Sequence, residues 1–200
     1  MVFTLFTPVS PISEDTIAEF GPRVPPGVAQ AWGKYGSGFV GDGYFRFVDP
    51  GRAAKMLSHH SPIPSDAVVL FTTALADLVV WWNSVFLVVK TRLGEIHPEA
   101  IPFDQIVDLM EDIPQRDEVW DWHPFTQVRD RLGEPGFEEC FMHVPMLALG
   151  GRGDPEAMQT GNLWKHISMM VQFTGRPKVT HILPLPFDLN RGFADEDEEP

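Results

Sequence analysis

The chain has 200 residues, 44% of them hydrophobic and 22% charged, with 15 Lys and Arg against 28 Asp and Glu for a formal net charge of −13. That length and composition fit one globular domain with a sizeable core and exclude a chain disordered throughout. The acidic balance disfavours nucleic acid and anionic lipid as partners, because both are bound through Lys and Arg. It favours solubility in any case, and it would speed the approach of a basic protein.

A single cysteine, Cys140, rules out an intramolecular disulfide and fits a reducing cytoplasm. Met1 to Phe6 has no basic region and no long apolar stretch, so it does not read as a signal peptide. The most apolar stretch, Val68 to Val89, is broken by Asp77, Asn83 and Ser84 and is rich in β-branched residues. It predicts buried strands and no membrane span.

In chain order, Ser13 reads as an N-cap with Ile12 and Ile17 as a hydrophobic staple, predicting a short helix to Phe20. After Pro25-Pro26, the residues Val28, Ala31, Trp32 and Tyr35 form one apolar helix face, stopped at Gly36. Gly36 to Pro50 predicts a hairpin with Asp42-Gly43 in the turn and Asp49-Pro50 ending its second strand. Val68–Thr73, Leu78–Trp82 and Val85–Thr91 predict three antiparallel strands covered on both faces. Phe103, Ile106, Val107 and Met110 predict a helix bounded by Pro102 and Pro114. A further helix is expected over Pro124–Leu132, an extended piece over Cys140–Leu149, and a largely buried helix capped by Asn162. The last residues, Asp195 to Glu199, are five consecutive acids and are expected to be disordered.

Candidate chemistry fails on spacing. The histidines at 59, 60, 97, 123, 143, 166 and 181 contain no i, i+4 zinc pair with an intervening glutamate. Cys140 and His143 could be imagined as nucleophile and base, but Phe141, Met142 and Val144 place the cysteine in a core strand, and no catalytic signature surrounds it. The glycines at 36–43 and 150–153 match no phosphate loop and fit turns instead. The adjacent carboxylates Glu111-Asp112, Asp117-Glu118 and Glu138-Glu139 read as solvated faces. No catalytic residue, metal ligand or cofactor site is expected. Adjacent strand residues point to opposite faces, so Trp81 and Trp82 are expected on opposite sides of the sheet. Trp120-Asp121-Trp122 falls in a polar stretch between predicted helices, where its aromatics fit either core packing or a partner anchor.

Two blocks carry a family resemblance. Val24-Pro25-Pro26-Gly27 through Trp32-Gly33-Lys34-Tyr35-Gly36, continued by Asp42 to Pro50, resembles the GAD-like domain. Val144-Pro145-Met146-Leu147-Ala148-Leu149-Gly150-Gly151, followed by Asn162-Leu163-Trp164-Lys165, resembles the C-terminal segment of Tdi-type immunity proteins of type VI secretion systems. One departure is Ala76, where similar proteins tend to have a glycine before the acid. The resemblance implies a bacterial cytoplasmic antitoxin that binds a toxin injected by sibling cells, often a nuclease, and it carries over no catalytic residues.

The expected fold is α+β, a central antiparallel sheet of about five strands with helices packed around it. Residues 1–175 are expected to form the immunity domain and 176–200 a Pro-rich, acidic tail. The expected partner is a cognate toxin, a basic nuclease, met through exposed acids and aromatics: Asp42, Glu111, Asp112, Asp117, Glu118, Trp120, Asp121 and Trp122. The alternatives are a metal-dependent hydrolase and an adaptor without a toxin partner. Oligomeric state is left open.

Overall fold

The Ser13 hydroxyl accepts the backbone N–H of Thr16 at 3.1 Å, and the chain enters its first helix there as the sequence predicts. The structure is a computed structural model that describes residues 2–180, so the acidic run at 195–199 lies outside the described residues. In order, the elements are β1 (Phe6–Ser10), α1 (Glu14–Phe20), α2 (Val28–Tyr35), β2 (Ser37–Val40), β3 (Phe45–Phe47) and α3 (Pro50–Met56). Then come β4 (Val68–Thr73), β5 (Leu78–Trp82), β6 (Val85–Lys90), β7 (Glu95–Glu99), α4 (Phe103–Glu111), α5 (Ile113–Trp120) and α6 (His123–Leu132). The described chain closes with β8 (Glu139–His143), β9 (Met158–Asn162), α7 (Leu163–Thr174) and β10 (Lys178–Val179), with single 3-10 turns at residues 21–23, 147–149 and 155–157.

The fold is α+β, but its main sheet has eight strands, in the order β1-β2-β3-β4-β5-β6-β7-β10, where about five were expected. Every neighbour is antiparallel except β10, which runs parallel to β7. The three extra strands carry little period-2 signal. β1 is an exposed edge strand containing Pro8, β7 contains Pro98, and β10 has two residues. Proline lacks the ladder N–H and is tolerated at a sheet's margin, so both prolines lowered the strand signal where they sit. β8 and β9 form a separate antiparallel pair.

Both faces of the sheet are covered. On one face Phe45, Phe47, Leu70, Phe71, Val79, Phe86 and Val88 pack with Trp32 of α2, Met110 of α4, Trp120 of α5 and Phe125 of α6. On the other, Val69, Leu78, Val80, Trp82, Leu87 and Val89 pack with Ala53 of α3, Cys140 of β8 and Trp164 and Ile167 of α7. Alternation along the strands produces this sorting. The irregularity between Val69 and Phe71 lets Leu70 and Phe71 share a face. Trp81 and Trp82 lie on opposite faces as expected, with Trp81 edge-on to Phe86 at 4.8 Å across the β5–β6 pair.

Two local expectations need correction. The β2–β3 connection is a longer loop in which Gly41 (φ 64°) and Gly43 (φ 87°) take the left-handed conformation and Asp42 does not. The Asp42 carboxylate is used for hydrogen bonds to Tyr44 and Trp122. Pro114 lies past the end of α4 as expected, but it also occupies the first turn of a further helix, α5, which was not expected and where no intrahelical N–H is required. Similarly, Asp49-Pro50 ends a strand and also opens α3, with Asp49 accepting the N–H of Arg52 at 3.0 Å.

Ala76, the departure from the glycine of similar proteins, is fully buried in the β4–β5 turn with φ 64°. An L-residue with a side chain is strained there and glycine is not. Ala76→Gly is therefore expected to raise stability by about 1 kcal/mol, after the entropy cost of glycine in the unfolded chain. Urea denaturation checks this, and a loss of stability would show that the Ala76 methyl packing outweighs the strain.

Candidate functional site

The residues read from sequence as contacts gather at one end of the sheet, where α5 and α6 meet the β2–β3 loop and the β4–β5 and β6–β7 turns. Two charge networks build this end. In the outer one, Asp42 Oδ2 accepts the indole N–H of Trp122 at 3.0 Å and pairs with Arg116 at 3.3 Å and Arg129 at 4.0 Å. The Arg116 guanidinium lies 5.6 Å from the centre of the Trp122 ring and also donates to the Met110 carbonyl. A side chain at position 41 would come within 2.8 Å of that guanidinium, so Gly41 leaves the room Arg116 needs.

The inner network is buried. Arg92 bridges Asp77, at 3.3 Å, and Asp121, which also accepts Lys90 at 3.0 Å. Asp121 takes the left-handed conformation at the end of α5, which aims its carboxylate at these two cations. Burial opposes the Asp121 charge, but Arg92 and Lys90 outweigh it and hold the carboxyl below its ordinary range. Asp77 is different. Burial dominates, pushing its carboxyl up to about 6, and one of its oxygens finds no hydrogen-bond partner among the described residues. The Tyr44 hydroxyl donates to the Trp120 carbonyl at 2.5 Å and so fixes the α5–α6 joint to β3; burial raises the pKa of this phenol.

The eight residues read as contacts divide accordingly. Asp112, Asp117 and Glu118 are exposed, and Asp42, Glu111, Asp121 and Trp122 are half-buried. Trp120 is 2% exposed and sits edge-on to Phe45 at 5.1 Å, so of the two readings kept for it, the core is the one it occupies. Glu111 accepts both the N–H and the hydroxyl of Thr4, which ties the N-terminal segment to α4. Asp117 accepts the His123 N–H at 2.6 Å and so caps the start of α6. Sequence reasoning missed Lys90, Arg92 and Arg116. The signal for the first two was a run of buried strand residues ending in two cations without a break in the chain's packing.

Elsewhere, Cys140 is buried, and burial pushes its thiol up to about 12, so it stays protonated at neutral pH. His143 and His166 are buried as well. Burial lowers both, and the nearby His143 helps to bring His166 down to about 4. Among the described residues, no three His, Cys, Asp or Glu side chains are placed to hold a metal ion, and no helix is long and apolar enough to cross a membrane. The Pro-x-Leu-x-Leu-Gly-Gly block forms a tight loop: Gly151 donates to the Met146 carbonyl at 3.0 Å, and a side chain at 151 would collide with the Pro145 carbonyl. Asn162 caps α7 by accepting the Lys165 N–H at 3.0 Å.

These elements define an α+β protein with helices on both faces of an eight-stranded sheet, an architecture shared with the crystal structure of Atu4351 from Agrobacterium tumefaciens. The TM-score is 0.70 at 15% sequence identity, over 85% of each chain. Residues 102–174 match the family described as T6SS immunity protein Tdi1, C-terminal, and the Pro-x-Leu-x-Leu-Gly-Gly and Asn-Leu-x-Lys elements that carried the resemblance lie within that match. The block at residues 24–50, which forms α2 and the β2–β3 hairpin, lies outside that match. No curated protein matches the chain.

Proposed function

We propose that this protein is an immunity protein that neutralises a cognate type VI secretion toxin, a basic DNase, by binding it, and that the α4–α5 surface forms part of the interface. The observation that carries the reading is the charge of the segment that matches the immunity family. Between Phe103 and Trp122 the exposed charges are Asp104, Asp108, Asp112, Asp117 and Glu118, with Glu111 and Asp121 half-buried, while the single cation, Arg116, is buried. Ile113 stands 61% exposed among these acids and supplies an apolar anchor. A DNase needs a basic surface to hold its substrate. An acidic, partly apolar surface matches such a surface in both charge and contact. This role requires no catalytic step by the chain itself.

Two experiments test it. Co-purification with the product of the adjacent gene, with a growth assay for rescue, tests the pairing; no complex and no rescue would overturn it. Replacing Asp112, Asp117 and Glu118 together by Asn, Asn and Gln is expected to weaken toxin binding about tenfold and to flatten its salt dependence. Titration at two ionic strengths measures both. Unchanged affinity would remove this face from the interface.

A further inference from the structure

Beside the outer charge network, a cleft of about 320 Å³ is lined by Thr7 of β1, Phe39 of β2, Gly41, Asp42 and Gly43 of the connecting loop, Phe125 of α6, and Glu134 and Pro135 beyond it. Its character differs from that of its neighbours. A larger cleft of about 480 Å³ carries both signs, with Asp49 and Glu138 against Arg52 and Lys55. Another, of about 430 Å³, is basic, lined by Arg92, Arg176 and Lys178. In the Phe39 cleft every lining charge is negative, and two of the walls are aromatic rings.

We infer that this cleft receives one arginine side chain of the basic toxin, a reading that rests on the toxin-binding role proposed above. Three features of the cleft match a guanidinium. Aromatic faces attract a cation through their quadrupole, and the walls are phenyl rings. The ring of Phe39 already bears a guanidinium within the fold, with Arg46 5.7 Å from its centre. Glu134 is exposed, and its carboxylate has no hydrogen-bond or ion-pair partner among the described residues, so its charge is available. Three internal guanidiniums flank the cleft: Arg46 against the Phe39 ring, Arg116 beside Gly41, and Arg129 over the Phe125 ring at 5.2 Å, with Arg116 and Arg129 paired to Asp42 at 3.3 and 4.0 Å. Among the described residues Glu134 pairs with none of them. Gly41 and Gly43 leave backbone rather than side chains along the cleft. A guanidinium, which stacks on aromatic faces and offers a planar set of donors to a carboxylate, uses a phenyl wall beside Glu134 better than an ammonium does.

The test uses the full-length chain and leaves Asp42 alone, because that residue holds the outer network together. Glu134→Lys is expected to weaken toxin binding at least tenfold and Glu134→Gln several-fold, with the melting temperature unchanged in both. A wild-type complex whose affinity neither substitution alters would overturn the cleft assignment while leaving the toxin-binding reading intact. No wild-type complex would overturn the reading on which it rests. Independently, N-acetyl-arginine methylamide is expected to shift the Gly41 and Gly43 amide resonances saturably at millimolar concentration, and Glu134→Lys is expected to abolish the shift. An equal response to the uncharged norleucine analogue, or no response, would overturn the assignment of a cation site.

Discussion

Trp120→Ala is expected to lower stability by about 3–5 kcal/mol, the usual cost of truncating a large buried aromatic. Its ring fills the core between β3 and α5, edge-on to Phe45, and its backbone carbonyl takes the Tyr44 hydroxyl. Truncation leaves a cavity in the core and loosens the joint that aims Asp121 at Arg92 and Lys90. Urea denaturation followed by fluorescence and circular dichroism measures the loss. Toxin affinity, corrected for the folded fraction, is expected to stay near the wild-type value, because a side chain this buried touches no partner. A stability loss below about 1 kcal/mol would contradict the core placement. A large affinity loss in a fully folded variant would return Trp120 to the interface. Trp122, two residues on and half-buried, is the member of the pair that a partner can reach.

The second large effect is electrostatic. Asp77 is 2% exposed, and its folded carboxyl titrates at about 6 against an ordinary 3.8. A folded-state pKa above the unfolded one means that the folded protein binds the proton more readily. The resulting stabilisation is fully present below 3.8 and is lost as pH rises through about 6. Asp77→Asn removes this titration while Asp121 still holds Arg92. The stability of wild type minus that of the variant is therefore expected to fall by about 2 kcal/mol between pH 4 and pH 7.5. At neutral pH the variant is the more favoured of the two relative to its standing at pH 4. Denaturation curves for both proteins across that range measure the difference. A flat difference would mean that Arg92 offsets the burial of the Asp77 charge completely. A difference that rises with pH would reverse the sign of the shift.

What could be read in the sequence follows from how strongly each element is patterned. The runs Val68–Thr73, Leu78–Trp82 and Val85–Lys90 are apolar on both faces because helices cover both, and their ends were visible to within a residue. The helices α1, α2, α4, α6 and α7 announced themselves by caps and by apolar stripes. The elements that stayed hidden lack such stripes. β1 is exposed along most of its length, α3 has seven residues, and α5 opens on a proline that usually marks an ending. The site was half visible for a related reason. Acids between helices can be seen in a sequence, but whether each is spent inside the fold depends on cations far away in the chain. Asp121 meets Lys90 and Arg92, Glu111 meets Thr4, and Asp42 meets Arg116, pairings that no local spacing encodes.

The segment that matches the immunity family lies on both sides of the sheet. Its helices α4 to α6 bury Met110, Trp120 and Phe125 against one face, while Trp164 and Ile167 of α7 pack on the other. Between them, Phe141 of β8 donates its N–H to the Ala74 carbonyl in the β4–β5 turn. Residues 102–174 therefore grip the sheet like a clasp and do not stand beside it as a detachable module. Exchanging that segment between related chains would force two cores to be refitted at once. Point changes on the exposed acids alter the surface of this segment without that cost.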